Sequence, residues 1–161
     1  MGPDVAAHHV VAKREGMSLS AATVALVSVD GAPASAAADF DSALVEAAKS
    51  RDIVMVDASS ARYLVRGYLS AMAVEGGAQV EYVWDVFGPD KHRAFRLNDV
   101  MAIKGAGDDP WTVVTPAALA SVAAKSADDL AAFLSNSPEA KPVAQASPSS
   151  PTTTLSYAAA N

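Results

Sequence analysis

The residues best suited to chemistry crowd into one stretch, residues 79–100, QVEYVWDVFGPDKHRAFRLNDV. Trp84 stands beside Asp85, Tyr82 and Phe87 flank them, and Arg93 and Arg96 follow a Gly-Pro turn. An aromatic floor with opposed charges is one way to hold a polar ligand. Other residues fail stricter tests. His8 and His9 lie near the amino terminus and His92 lies in a turn, and no spacing joins them to carboxylates as metal ligands. No serine sits in a G-x-S-x-G elbow, and no histidine is placed to act as its base. The chain has no cysteine, so disulfides, thiolate metal sites and a cysteine nucleophile are excluded. Asp108-Asp109 precede Pro110-Trp111 and read as loop residues, while Asp128-Asp129 read as the solvated face of a helix. Neither Gly76-Gly77 nor Gly105-Ala106-Gly107 is followed by the Lys-Ser/Thr that a phosphate loop requires. These patterns imply no metal, no cofactor and no enzyme.

The elements that position the 79–100 stretch can be read around it. Residues 23–29, TVALVSV, form an apolar β-branched run that ends at Asp30-Gly31 and predicts a buried strand. A helix follows: Phe40, Ala43, Leu44, Ala47 and Ala48 recur at helical spacing. Ser35 is its expected N-cap, with Asp39 and Asp41 towards the positive end of the dipole and Lys49 and Arg51 at the negative end. Residues 53–56, IVMV, predict a second short strand, which would run parallel to the first after a right-handed crossover. Three longer runs come next, at about 63–73, 79–87 and 93–103. Glu75-Gly76-Gly77 and Gly88-Pro89-Asp90-Lys91 between them are turn sequences, so the three form an antiparallel meander. A last helix opens with Thr115 as N-cap and Pro116 as its first residue, carries an apolar stripe from Leu119 to Leu134, and stops at Asn136 and Pro138. The order β-α-β-β-β-β-α predicts an α+β domain, a mixed sheet with both helices packed on one face.

Strand parity then divides the candidate site. Val80, Tyr82, Trp84 and Val86 share one face and should meet the helices; Glu81, Val83, Asp85 and Phe87 share the other. Tyr82 and Trp84 are therefore expected in the core. Asp85 is expected on the wetter face with Arg66, Arg93 and Arg96, as cross-strand ion pairs. These four residues form the candidate partner or ligand face, for an acidic peptide or a glycan. Trp111, between the meander and the last helix, is expected to plug the end of the core.

With 161 residues the chain fits one domain with tails. The expected divisions are a flexible arm over 1–20, the α+β domain over 21–136, and a disordered Pro/Ser/Thr/Ala-rich tail over 137–161, where Leu155 and Tyr157 are the only large apolar residues besides Val143. The net charge is −6, and the short basic pairs Lys13-Arg14 and Lys91-His92-Arg93 make no stripe that could track phosphates, which argues against a nucleic-acid partner. No apolar run reaches the length of a membrane span.

The runs ARYLVRGYLSA, VEYVWDVFGPDKHRAFRLND, DPW and SADDLAAFL together resemble small periplasmic lipoproteins of alphaproteobacteria. More distantly, Tyr63-Leu64-Val65-Arg66-Gly67, residues 80–87 and residues 93–96 resemble the TolB amino-terminal-domain-like group, which includes lipoproteins that activate peptidoglycan synthases. The resemblance covers about residues 22–135. It implies a non-enzymatic envelope protein that acts by contact with another envelope protein, and it supplies no catalytic residues. Lipoproteins of this kind carry a signal peptide and a lipobox cysteine, neither of which stands in this chain. The resemblance therefore implies periplasmic or outer-membrane association through an upstream segment, and a cytoplasmic location without one. The competing expectation is a small-molecule or glycan-binding module on the charged face. Oligomeric state leaves no mark in the sequence.

Overall fold

Alternation of apolar residues along three long strands decides the architecture, seen in a computed structural model that describes residues 12–143. The elements are β1 (Met17–Ser18), β2 (Val24–Asp30), α1 (Ala34–Lys49), β3 (Tyr63–Val74), β4 (Gly77–Phe87), β5 (Arg93–Lys104), α2 (Pro110–Val113), α3 (Pro116–Ser135) and β6 (Lys141–Pro142). The main sheet has the order β2-β3-β4-β5, with β2 parallel to β3 and the rest antiparallel. This is the expected mixed sheet and meander. Gly76 closes the β3–β4 hairpin in the left-handed region, at φ 84°, where glycine costs least. The helices cover one face: Phe40 of α1 stacks on Trp84 with centroids 4.9 Å apart, and Ser126 of α3 meets the same indole.

The core is the face that parity selects. Tyr82 is 0% exposed and Trp84 5%, with Val80 and Val86 buried beside them. A glycine makes room for the tryptophan. Gly67 pairs with Trp84 across β3 and β4, and a Cβ on Gly67 would stand 1.7 Å from indole Cζ3. The glycine in the middle of a strand is thus a slot for the ring. Across the core, Trp84 Nε1–H donates to Ser126 Oγ at 2.7 Å, and Ser126 in turn donates to the Val122 carbonyl. One side chain therefore ties α1, β3 and α3 together.

Several expectations need correction. Residues 53–56 are not a strand: only Met55 bridges to Val24, and Asp52 in the left-handed region, at φ 61°, bends the chain before it. The partner of β2 is β3, the first strand of the meander. Ser35 is not the N-cap of α1; Pro33 holds that place without a side-chain cap, so Asp39 and Asp41 fall beyond the first turn. Thr115 does cap α3, accepting from Ala118 N–H at 3.1 Å. Trp111 packs against the end of the core as expected, half-buried beside the buried Val113 and Val114. The domain also reaches past both expected boundaries. β1 pairs with β6, the Arg14 N–H donates to Ser135 Oγ, and Leu19 and Ala140 are buried. Part of the expected arm and part of the expected tail thus clasp each other; residues 1–11 and 144–161 lie outside the described residues, His8, His9, Leu155 and Tyr157 among them.

Candidate functional site

The outer face of the sheet, opposite the helices, is built by register. Arg66 of β3 lies opposite Asp85 of β4, and Asp85 lies opposite Arg96 of β5. The three form one row across three strands. Arg96 grips the carboxylate with two hydrogen bonds, Nε to Oδ1 at 2.6 Å and Nη2 to Oδ2 at 2.8 Å. Arg93 adds Nη1 at 3.6 Å from Oδ1. The hydrogen bond from Arg96 holds the Asp85 carboxyl below the usual carboxylate range. A bidentate pair of this kind is geometrically specific, and each of its partners is fixed by the other. Arg66 is exposed and forms no ion pair among the described residues. All four residues named from the sequence therefore meet on one face, but Asp85 is committed to Arg96 and Arg93 and leaves Arg66 free. Three guanidinium groups against one carboxylate make a positive patch on a negatively charged chain.

Further along the same face the row turns apolar. Tyr68 and Met72 of β3, at 49% and 54% exposure, stand with Val74, and Val100 of β5 stands across β4 from them at 49%. No described helix covers these residues. The result is a surface that is cationic around Arg66, Arg93 and Arg96 and mixed beyond them, where exposed Tyr68, Met72 and Val100 stand beside the exposed carboxylates of Asp30, opposite Tyr68, and Glu81, opposite Val100. Parity predicts Arg66, Asp85 and Arg96 on this face, and the bulge opposite Val86 and Phe87 brings Arg93 to join them; Tyr68, Met72 and Val74 also carry a sequence signal, since they alternate with the core residues of β3.

Two other polar clusters escape sequence reasoning. On the helix side, Lys125 Nζ reaches Asp99 at 3.1 Å and Asp129 at 3.3 Å, bridging β5 and α3. Asp129 is thus held in an ion cluster rather than on a solvated face, and burial raises its carboxyl pKa. Asp128, by contrast, is exposed and pairs with Arg51 at 2.6 Å. The Tyr82 hydroxyl lies buried near this cluster without a hydrogen-bond partner; burial, with Asp99 adding to it, pushes its pKa up to about 12. A separate cavity of about 20 Å³, lined by Trp84, Ser126 and Asp129 among others, does not include Tyr82. That is room for about one water. At the other end of the sheet, Tyr63 donates to Glu139, which also accepts from Arg62 at 3.0 Å. Burial, followed by the Glu139 hydrogen bond, pushes the Tyr63 hydroxyl up to about 12. This cluster docks the segment after α3 onto β3, a contact 76 residues apart in sequence that no local pattern reveals.

The carboxylates of the 108–109 loop act locally. Asp109 accepts from the Trp111 N–H at 2.9 Å and caps α2. His92 is exposed in the β4–β5 turn, with Asp90 at 3.4 Å as its neighbour. No group of three His, Cys, Asp or Glu residues could hold a metal ion among the described residues. No described helix is long and apolar enough to cross a membrane.

Neither a family model nor a curated protein sequence matches the chain, so the alphaproteobacterial resemblance gains no support from a family model. The fold is similar to that of a single-residue variant of PelC from Paraburkholderia phytofirmans, solved as a dodecamer. The two share 14% identity over 78% of this chain and 94% of that one, with a TM-score of 0.50. At this identity the likeness is one of fold. A minor lipoprotein from Acinetobacter baumannii aligns at 9% identity over 71% of this chain and 95% of that one, with a TM-score of 0.48. Lipoprotein GNA1162 from Neisseria meningitidis aligns at 5% over 63% and 96%, with a TM-score of 0.41.

Proposed function

We propose that this chain is a non-enzymatic protein-interaction domain of the bacterial cell envelope, and that the outer face of its sheet is the surface that binds. One observation carries the reading: the face left bare by the helices joins exposed Tyr68, Met72 and Val100 to the cationic row of Arg66, Arg93 and Arg96. Tyrosine, methionine and arginine are the residue types enriched where proteins meet. The three arginines clustered around the single carboxylate of Asp85 suit a partner that presents acidic side chains at that end, and the open sheet surface suits a protein more than a small molecule. The fold adds support, since PelC with the same fold is solved as a dodecamer. The envelope location rests on the resemblance in residues 63–67, 80–87 and 93–96.

The test is affinity capture from envelope extracts with the native chain and with an Arg66→Glu, Tyr68→Glu double variant. Both positions are exposed, so the fold should survive, and circular dichroism checks it. The native chain should retain a discrete protein that the variant loses. Equal retention by both would overturn the reading. A glycan that binds the native chain, with no protein retained, would favour the glycan module instead.

A further inference from the structure

We propose that a second copy of this chain pairs antiparallel along β5, about a two-fold axis that passes beside Asn98. The proposal concerns the sheet edge; it shares Arg96 and Val100 with the outer face but does not rest on that face binding a partner. β5 is the end strand of the main sheet, and no strand lies beyond it among the described residues. It runs for 12 residues, and not one of them is fully buried. Long open edges template pairing with another chain, and proteins usually guard them with bulges, covering segments, prolines or charges. The opposite edge, β2, has such guards. Its register is broken by a bulge between Leu26 and Ser28, Met55 bridges to Val24, and α1 overhangs it with Ala37 and Ala38 beside a groove. β5 has a register break only near its start, opposite Val86 and Phe87, and from Phe95 to Lys104 it is regular. It contains no proline. Its internal charges are also neutralised within the chain, Arg96 by Asp85 and Asp99 by Lys125.

The hydrogen-bond phase selects a register. Gly105 N–H donates to the Gly76 carbonyl, one step past the β4–β5 ladder. By the alternation of an antiparallel pair, odd-numbered residues of β5 bond to β4 and even-numbered ones turn N–H and C=O towards the open edge. Arg96, Asn98 and Val100 therefore turn their backbone groups outward, although in the single chain the Val100 N–H donates to Asp99 Oδ1 at 2.8 Å and must be released on pairing. With Asn98 opposite its own counterpart, Arg96 faces Val100 of the second copy and Phe95 faces Met101 on the helix side. About six backbone hydrogen bonds form over residues 96–100. No like charges stand directly opposite each other. Shifting the pairing by two residues along each strand would put Arg96 against Lys104, and like charges so placed are destabilising. The axis also meets an unfilled need. The Asn98 side-chain oxygen is shielded from water and has no hydrogen-bond partner among the described residues. A rotation about χ2 lets the two amides donate to each other across the axis. The two helix layers stay on one side, and the product is a continuous eight-stranded sheet.

Cysteine scanning tests the register, because the chain has no cysteine of its own. In a hydrogen-bonded antiparallel pair the Cα atoms stand about 5.5 Å apart, within disulfide reach. Asn98→Cys should give a disulfide-linked dimer as its main product under mild oxidation. Val100→Cys should stay monomeric, since the two Val100 positions are separated by about 13 Å of strand. Mixing Arg96→Cys with Val100→Cys should yield the mixed dimer. Cross-linking of Asn98→Cys no greater than that of Val100→Cys would overturn the proposal. Sedimentation velocity of the unmodified chain gives an independent reading: dimers are expected, and a monomer at every concentration would overturn the proposal even if a variant fails to fold.

Discussion

Trp84 and Asp85 are neighbours in sequence and do opposite work. Trp84 points into the helices, stacks on Phe40 and donates to Ser126. Asp85 points out and is gripped by Arg96. Alternation alone separates them, which is why this division is legible in the order of the residues. The slot at Gly67 is less legible, because a glycine in a strand signals a close approach without saying what approaches. Gly67→Ala should cost about 3 kcal/mol or more, since the added methyl collides with the indole ring rather than with the end of a flexible chain. A lowered urea midpoint with an unchanged m-value checks it. Asp85 makes a prediction of a different kind. Its folded-state pKa is depressed, so in the acid window the unfolded chain binds more protons, and stability falls as pH falls through the folded value. Above the unfolded value, about 3.9, the contribution is fully present. Asp85→Asn should therefore flatten the loss of stability on acidification without abolishing it, because Glu139 is depressed too. Urea melts of both proteins at a series of acidic pH values measure the difference.

At the scale of elements, length decides what can be read. The three long strands and α3 carry enough alternation or helical stripe to declare themselves, and Thr115 with Pro116 marks the start of α3 as expected. The two-residue strands β1 and β6 have no period at all. Their pairing depends on Leu19 and Ala140 finding the core, a tertiary event joining the two ends of the domain. Residues 53–56 fail in the reverse sense: four apolar residues look like a strand, but the adjacent edge of β2 gives them only one bridge. The clasp is a structural element in its own right. Leu19→Ala should destabilise the domain by about 2–5 kcal/mol, the range for truncating a buried leucine, although the residue lies in a segment that composition alone assigns to an arm. Thermal or urea unfolding checks this; a change below about 0.5 kcal/mol, the scale of ordinary surface substitutions, would show that the clasp does not hold.

At the scale of the molecule, the helices shield one face of the sheet and leave two features open, the outer face and the β5 edge. The cationic half of the face is readable in part: parity fixes Arg66, Asp85 and Arg96, whereas Arg93 reaches the same face only because of the bulge opposite Val86 and Phe87. That Arg66 is left over is not, because it depends on which arginine wins the carboxylate, and the two-pronged geometry of Arg96 decides that. The likeness to PelC, at 14% identity, is one of fold. The most direct measurement is site-specific photo-cross-linking in living cells of the native source, with a photoreactive residue at Tyr68 on the outer face and, in a parallel strain, at Glu46 on the exposed side of α1. A discrete cross-linked species at position 68 and none at 46 is the expected result. No adduct at 68, or the same adducts at both positions, would contradict the outer face as the binding surface.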